Sequence, residues 1–224
     1  MAVDQAMAPG QSHTAATATA QTVGVSNRKL GIWIFLASEV IFFSALIGGG
    51  ILLRLQTPPD QWPVPGEVLN VPLTSLNTFI LIVSSVTVVQ ALAALQDNIR
   101  WRFQLFLVCT FILGAIFLGI QVYEYNLLIG HGLTFTEYVP YTAHGAEHGA
   151  AEAVSSVYGT AFYIQTGFHG AHVFLGVMWL GFVMIKAFFG GYSPDDYEGV
   201  EIFGLYWHFV DLVWILLFTI VYLI

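Results

Sequence analysis

Charge and cysteine are the two things this sequence has least of. Only 9% of its 224 residues are charged, whereas soluble domains carry roughly 25%. Its single cysteine, Cys109, excludes an intrachain disulfide and a cysteine-rich metal site. The six Lys and Arg residues are outnumbered by 14 acidic residues and form no basic patch, which argues against a nucleic-acid partner. With hydrophobic residues at 57%, the composition is that of an integral membrane protein.

The N-terminal segment also lacks structural signals. Residues 1–27 have neither the charged start nor the apolar stretch of a signal peptide. They are rich in alanine, threonine, glutamine and serine. We therefore predict a disordered cytoplasmic tail over residues 1–27, followed by a single transmembrane domain over residues 28–224.

Long apolar runs fill most of that domain. A helix needs about 20 apolar residues to cross the hydrocarbon core of a bilayer. Five runs satisfy this requirement and are separated by segments rich in proline, glycine or charge. The sequence thus predicts an all-α, polytopic membrane protein, a bundle of five transmembrane helices over residues 30–53, 73–95, 103–129, 157–189 and 202–224.

The basic residues are distributed unequally between the two ends of these spans. Lys and Arg favour cytoplasmic loops. Only Arg54 lies on the side opposite the N-terminus, against five on the N-terminal side. This bias predicts a cytoplasmic N-terminus and an external C-terminus. The five residues on the N-terminal side are Arg28, Lys29, Arg100, Arg102 and Lys186.

The predicted external loop between spans three and four carries acidic residues and histidines, but no Lys or Arg. Such a segment is often just a solvated loop. It is also a surface that suits a basic partner. Both interpretations remain open for its residues Glu137, His144, Glu147, His148 and Glu152.

Ionisable residues occur inside the spans, where a charged group at the bilayer centre costs at least ~2.5 kcal/mol. Glu39 lies ~13 Å from the cytoplasmic end of its span at ~1.5 Å per residue. Two pairs with i, i+3 spacing occupy spans four and five, so each pair shares a helix face. We predict one buried cluster between spans one, four and five, with Glu124 separate near the outer end of span three. The predicted cluster comprises Glu39, His169, His172, His208 and Asp211.

The residues alone leave four interpretations of this cluster. It could be a structural lock of hydrogen-bonded pairs, or a haem site with His172 and His208 as axial ligands. It could also be a proton or ion relay, or a metal centre built on the His-x-x-His spacing. A secondary transporter is a weaker alternative, because no inverted repeat is visible.

Four sequence strings resemble subunit III of the haem-copper oxidases, and they occur in the order found in that family. The first two are SEVIFF at residues 38–43 and QVYEY at 121–125. The more specific two are TGFHGAHV at 166–173 and YWHFVDLVW at 206–214. The likeness covers residues 29–224 and is closest to the short, five-helix bacterial form of cytochrome c oxidase subunit III. The stretch at residues 144–152 departs from the family pattern as a local addition.

The resemblance implies a non-redox accessory subunit of a proton-pumping terminal oxidase in the bacterial plasma membrane. In this family subunits I and II carry the haem and copper, and subunit III binds no metal or haem. It packs against subunit I, holds phospholipid and supports proton uptake. Cytochrome c or a respiratory supercomplex would then be candidates to lie near the outer loop. Subunit III of a quinol oxidase and a nitric-oxide-reductase accessory protein are the alternatives within the superfamily.

Two expectations follow for particular residues. We expect Glu39 to be a neutral acid that is hydrogen-bonded to a group on span four or five, because a charge there is costly. We expect spans one and two to face subunit I, through small and hydroxyl residues. The residues in question are Ser75, Ser84, Ser85 and Ala91.

Overall fold

The computed structural model describes residues 26–58, 62, 65–130, 133 and 156–224. These residues form helices and connecting turns, and five of the helices are long and apolar enough to cross a membrane. The prediction of an all-α protein with five transmembrane helices is confirmed. Most of the tail at residues 1–27, and all five predicted residues of the outer loop, lie outside the described residues.

The first three spanning helices extend beyond the apolar runs that predicted them by one to three residues at each end. The fourth matches its run within one residue at each end, and the fifth begins four residues earlier and continues as a π-helical segment. A short helix lies between the first two spanning helices, and a π-helical segment follows the last one. In chain order the elements are α1 (Asn27–Gln56), α2 (Pro65–Val68), α3 (Val71–Gln96), α4 (Arg100–Gly130), α5 (Ser156–Phe188), α6 (Glu198–Leu217) and the π-helical segment (Phe218–Leu223).

Polar residues outside the apolar runs determine where the helices begin and turn. The Ser26 side chain accepts a hydrogen bond from the Lys29 amide at 3.2 Å, and Asn70 caps α3 in the same way. The tight turn from α3 to α4 places Asn98 at φ 59°. Gly190, with φ 73°, ends α5. Both adopt the left-handed conformation that asparagine and glycine tolerate best.

Helices α3, α4, α5 and α6 form a closed ring in which each packs against the next and α6 returns to α3. Helix α1 lies outside this ring, against α5 and α6. It is the least enclosed span, and its only buried residues are Ile32, Leu36 and Phe43.

Ion pairs and hydrogen bonds hold both ends of α1 against the rest of the chain. Lys29 Nζ lies 2.8 Å from a carboxylate oxygen of Glu201, and both Ser26 and Arg28 contact Glu198. At the opposite end, an Arg54 Nη atom donates to the Ile224 carbonyl oxygen at 2.6 Å. The N-termini of α1 and α6 therefore lie on one side of the bundle, and Arg54 lies on the other.

Candidate functional site

The carboxylate of Glu39 on α1 meets the imidazole of His172 on α5. The distance from Glu39 Oε2 to His172 Nε2 is 3.1 Å, and both side chains are about five-sixths buried. The predicted hydrogen bond from Glu39 to a group on span four or five is confirmed, and its partner lies on span four. This contact joins the peripheral helix α1 to α5, a member of the ring, within their apolar segments.

The hydrogen bond made by the second ring nitrogen of His172 limits which protonation states the Glu39–His172 pair can adopt. His172 Nδ1 lies 2.7 Å from the Phe168 carbonyl oxygen. A carbonyl oxygen can only accept, so Nδ1 carries a proton. A neutral His172 then presents a bare Nε2 to Glu39, and the acid must be protonated to donate to it. The pair is therefore either a neutral acid with a neutral base or a carboxylate with an imidazolium.

Aromatic rings and one further hydrogen bond hold His172 in place. Its ring packs edge-on against Phe43, with centroids 5.0 Å apart, and beside Phe42. The Tyr206 hydroxyl of α6 donates to the His172 carbonyl oxygen at 2.9 Å. With both ring nitrogens engaged inside the chain, His172 has no free nitrogen for a haem iron.

His169, one turn earlier on α5, makes a different contact. It is fully buried, its Nε2 lies 3.1 Å from the Val210 carbonyl oxygen, and its ring lies between Phe117 and Trp214. Because a carbonyl oxygen requires a donor, Nε2 carries the proton. His169 therefore joins α5 to α6 and α4 and makes no hydrogen bond to Glu39.

His208 and Asp211 on α6 face α3. His208 Nδ1 lies 2.6 Å from the Ser85 hydroxyl oxygen, and the same hydroxyl is close to the Asp211 carboxyl group. Asp211 is buried, whereas His208 is about half-buried. Ser85 is thus the partner of both groups.

The expected single cluster of Glu39, His169, His172, His208 and Asp211 is therefore divided among three separate contacts. The reason is helical geometry. At 3.6 residues per turn, positions i and i+3 diverge by about 60° around the axis. That angle is enough to direct His172 to α1 and His169 to α6.

Glu124 on α4 is almost fully buried and has hydroxyl partners. The Thr74 hydroxyl of α3 donates to Oε1 at 2.8 Å, and the Tyr222 hydroxyl donates to Oε2 at 3.1 Å. Tyr222 belongs to the π-helical segment, a geometry that is rare and often found at functional sites. The carboxyl group fastens the end of α6 to α3 and α4.

Sequence reasoning missed a row of hydroxyl groups along α3. Trp207 Nε1 of α6 donates to Ser84 Oγ at 3.0 Å, and Trp214 Nε1 donates to Thr78 Oγ1 at 2.9 Å. The sequence does contain a pattern that indicates these contacts, because the two tryptophans are seven residues apart and the hydroxyl residues Thr78 and Ser84 are six apart. Since a buried indole N–H needs a partner, these pairs align the two helices.

This row corrects the prediction that the small and hydroxyl residues of span two face subunit I. Ser84, Ser85 and Ala91 are all buried inside the chain. Ser84 and Ser85 form hydrogen bonds with Trp207 and His208 of α6. Ser75 alone is exposed.

Within the described part of the chain, no three His, Cys, Asp or Glu side chains are arranged to hold a metal ion. The five acidic and histidine residues of the outer loop, which would suit a basic partner, lie outside that part: Glu137, His144, Glu147, His148 and Glu152.

Comparison with known proteins gives a consistent result over nearly the whole chain. Residues 10–129 and 127–224 match the family model described as "Cytochrome c oxidase subunit III". The chain is 36% identical over 199 residues to cytochrome c oxidase subunit 3 of Thermostichus vulcanus, covering 88% of this chain and 87% of that protein. It is 35% identical over 202 residues to the Bacillus subtilis protein of the same name, covering 90% and 88%.

The name of a third relative indicates a different electron donor. The probable quinol oxidase subunit 3 of Staphylococcus saprophyticus is 32% identical over 214 residues, covering 95% of this chain and 96% of that protein. The residues of the Glu39–His172 and Ser85–His208 contacts lie within the matched regions. The chain belongs to the cytochrome c oxidase subunit III family, the third subunit of the haem-copper oxidases.

Proposed function

We propose that this chain is the non-redox subunit III of a proton-pumping terminal oxidase that passes electrons from cytochrome c to oxygen. The haems and copper would lie in subunits I and II, and this chain would have no catalytic centre of its own. The observation that carries the proposal is the contact of His172 with both Glu39 and Phe168. This contact uses a histidine of the TGFHGAHV string to join two helices and leaves neither ring nitrogen of His172 free for a metal.

The proposed role is to stabilise subunit I, hold phospholipid and support proton uptake. Helix α1 has a large uncovered apolar face, with Trp33, Ile34 and Ile41 all more than half exposed. Such faces in a membrane protein are covered by lipid or by another subunit. A permanent interface with subunit I would bury more than about 2,000 Å².

The choice of electron donor rests on the relatives. Two of those described above are named cytochrome c oxidase subunits, and one is named a probable quinol oxidase subunit. We propose cytochrome c. The outer loop at residues 131–156, which has no Lys or Arg, would give a basic cytochrome c or a supercomplex partner an acidic surface to approach.

Co-isolation tests the subunit assignment. A tag on this chain is expected to recover the haem-bearing subunit I and subunit II in equal amounts from mild detergent. Removal of this chain from the cell should leave the haem spectrum of the remaining complex unchanged. Recovery of the tagged chain without subunit I, from membranes that contain an active oxidase, would contradict the proposal.

We further propose that the N-terminus is cytoplasmic and the C-terminus external, in the bacterial plasma membrane. The support is the Lys and Arg bias together with the placement of Arg54 opposite Lys29. A cysteine introduced in the 131–156 segment, in a Cys109→Ser background, should react with an impermeant maleimide on intact cells. A cysteine beside Asn98 is the matched control and should react only after lysis. The reverse pattern would invert the assignment.

A further inference from the structure

A cavity of about 290 Å³ lies at the Arg54 end of the bundle, and the C-terminal end of α1 forms one of its walls. The start of α5, the π-helical segment and Trp62 form the rest of the wall, which is mostly apolar. The α1 residues in the wall are Gly50, Ile51, Arg54 and Leu55. The last two turns of α1 therefore close this cavity on one side.

Burial divides α1 into a part that is packed on the ring and a loosely held end. All the buried residues of α1, and the Glu39–His172 contact, lie before residue 44. After Gly50 the helix has no buried side chain: Arg54 is partly exposed and the other residues of 51–56 are exposed. Leu55 is 76% exposed. Packing against the ring therefore stabilises the first part of α1 and contributes little to residues 51–56.

Three consecutive glycines, Gly48, Gly49 and Gly50, separate the two parts of α1. Glycine is the weakest helix former apart from proline, because it leaves the backbone the most conformational freedom. A Cβ atom at Gly48 or Gly49 would meet nothing within 4 Å, so packing inside the chain does not require glycine at either position. At Gly50 a Cβ atom would lie 1.6 Å from Gln165 Nε2, so this glycine allows a close contact with α5. The helix is thus easiest to bend directly before that contact.

One hydrogen bond holds residues 51–56 against the far end of the chain. An Arg54 Nη atom donates to the Ile224 carbonyl oxygen at 2.6 Å, and within the described residues it is the one hydrogen bond from this end of α1 to another element. The end also completes its own helical turn. The Thr57 amide and hydroxyl both donate to the Leu53 carbonyl oxygen, at 3.0 and 2.8 Å. Residues 51–56 are therefore a short helical unit with a single polar attachment.

We propose that residues 51–56 are a lid over the cavity, with a hinge at Gly48–Gly50 and a latch formed by Arg54 and Ile224. The structure shows the closed state. When the latch opens, α1 bends at the glycines and the cavity becomes accessible from the side of α1. The groups that are then uncovered include Tyr158 and Gln165, whose buried hydroxyl and amide oxygens have no hydrogen-bond partner among the described residues. The lid is a property of this chain alone and does not rest on its proposed place in an oxidase.

The reaction rate of a cysteine inside the cavity measures how often the lid opens. Ala161 is 7% exposed and lies in the cavity wall. We would introduce Ala161→Cys into the full chain, in a Cys109→Ser background, and follow its reaction with N-ethylmaleimide in mild detergent. Arg54→Met keeps the length of the side chain but removes the donor. It should raise the reaction rate about tenfold, because a hydrogen bond from a charged donor is among the stronger ones.

The hinge is tested by replacing both Gly48 and Gly49 with alanine, which introduces no clash. The stiffer helix should lower the reaction rate at position 161 about threefold, because alanine favours the helix over glycine. It should also reduce the gain caused by Arg54→Met. Spin labels at the exposed positions Leu55 and Leu216 provide a second measurement. Their distance distribution should broaden in Arg54→Met and narrow again when the alanines are added.

Ala187→Cys is the matched control, because Ala187 is 5% exposed on the same helix at the opposite end of the bundle. Its reaction rate should not respond to any of these changes. Equal rates at position 161 with and without Arg54→Met would refute the latch. A gain in Arg54→Met that the alanines do not reduce would refute the hinge. A rise at both positions 161 and 187 would show general loosening of the fold and would overturn the lid.

Discussion

Replacing Glu39 by glutamine is expected to leave both assembly and initial oxygen turnover of the oxidase close to those of the unmodified complex. Because His172 Nδ1 is committed to the Phe168 carbonyl oxygen, a neutral His172 accepts at Nε2. A glutamine amide can donate to that nitrogen as a protonated carboxyl group does. Glu39→Ala removes the donor and leaves His172 unpaired, at a cost of about 1–3 kcal/mol. We expect α1 to loosen and the subunit to be lost on detergent washing.

The matched control is Arg28→Ala, which removes a surface contact with Glu198 at 3.7 Å from a side chain that is 76% exposed. Exposed ion pairs contribute about 0–1 kcal/mol, so the subunit should be retained. Subunit content after graded washing and oxygen uptake are the two measurements. Immediate loss of turnover in an intact Glu39→Gln complex would show that Glu39 transfers protons, and the structural account of the pair would then be wrong.

Trp207→Ala is expected to have the largest effect on folding stability. The Trp207 ring is 1% exposed, and it fits between two glycines. A Cβ atom would lie 3.0 Å from the ring at Gly114 and 2.8 Å from it at Gly176. Truncation leaves a cavity among four helices and removes the hydrogen bond to Ser84 Oγ, which keeps only its own bond to the Leu81 carbonyl oxygen. Such changes cost about 3–5 kcal/mol. We expect a lower unfolding temperature of the isolated chain and little assembled subunit.

Trp33→Ala is the control for Trp207→Ala, because Trp33 is 56% exposed on the outer face of α1. It should leave the unfolding temperature of the isolated chain nearly unchanged. Trp207→Phe should fall between the two, since it keeps much of the volume but loses the N–H donor. Equal destabilisation by Trp33→Ala and Trp207→Ala would contradict the packing described for the ring of helices.

The architecture could be predicted because apolar length and helix breakers are local properties of the sequence. Five apolar runs of 23 to 33 residues correspond to five spanning helices. Glu39 could also be assigned a partner on span four or five, since an acid at its depth must be paired. Depth, however, carries no information on direction around the helix axis, so His169 and His172 were wrongly placed in one cluster.

The partners of the other polar groups could not be predicted, because they come from distant parts of the chain. Glu124 is bonded to Thr74, 50 positions away, and to Tyr222, 98 positions away. Serine and threonine are common in membrane helices and bond to their own backbone, so a hydroxyl gives little signal by itself. For the same reason Ser84 and Ser85 were assigned to an interface with subunit I, although they lie inside the bundle.

The visible spectrum of the purified chain, separated from its complex, tests the central claim most directly. The claim is that the membrane histidines join helices and hold no redox centre. We predict no haem absorption from the isolated full chain. We also predict a full haem complement in the co-isolated complex, unchanged when His172 or His208 is replaced. A stoichiometric haem band in the isolated chain that disappears on replacing His172 or His208 would contradict the account.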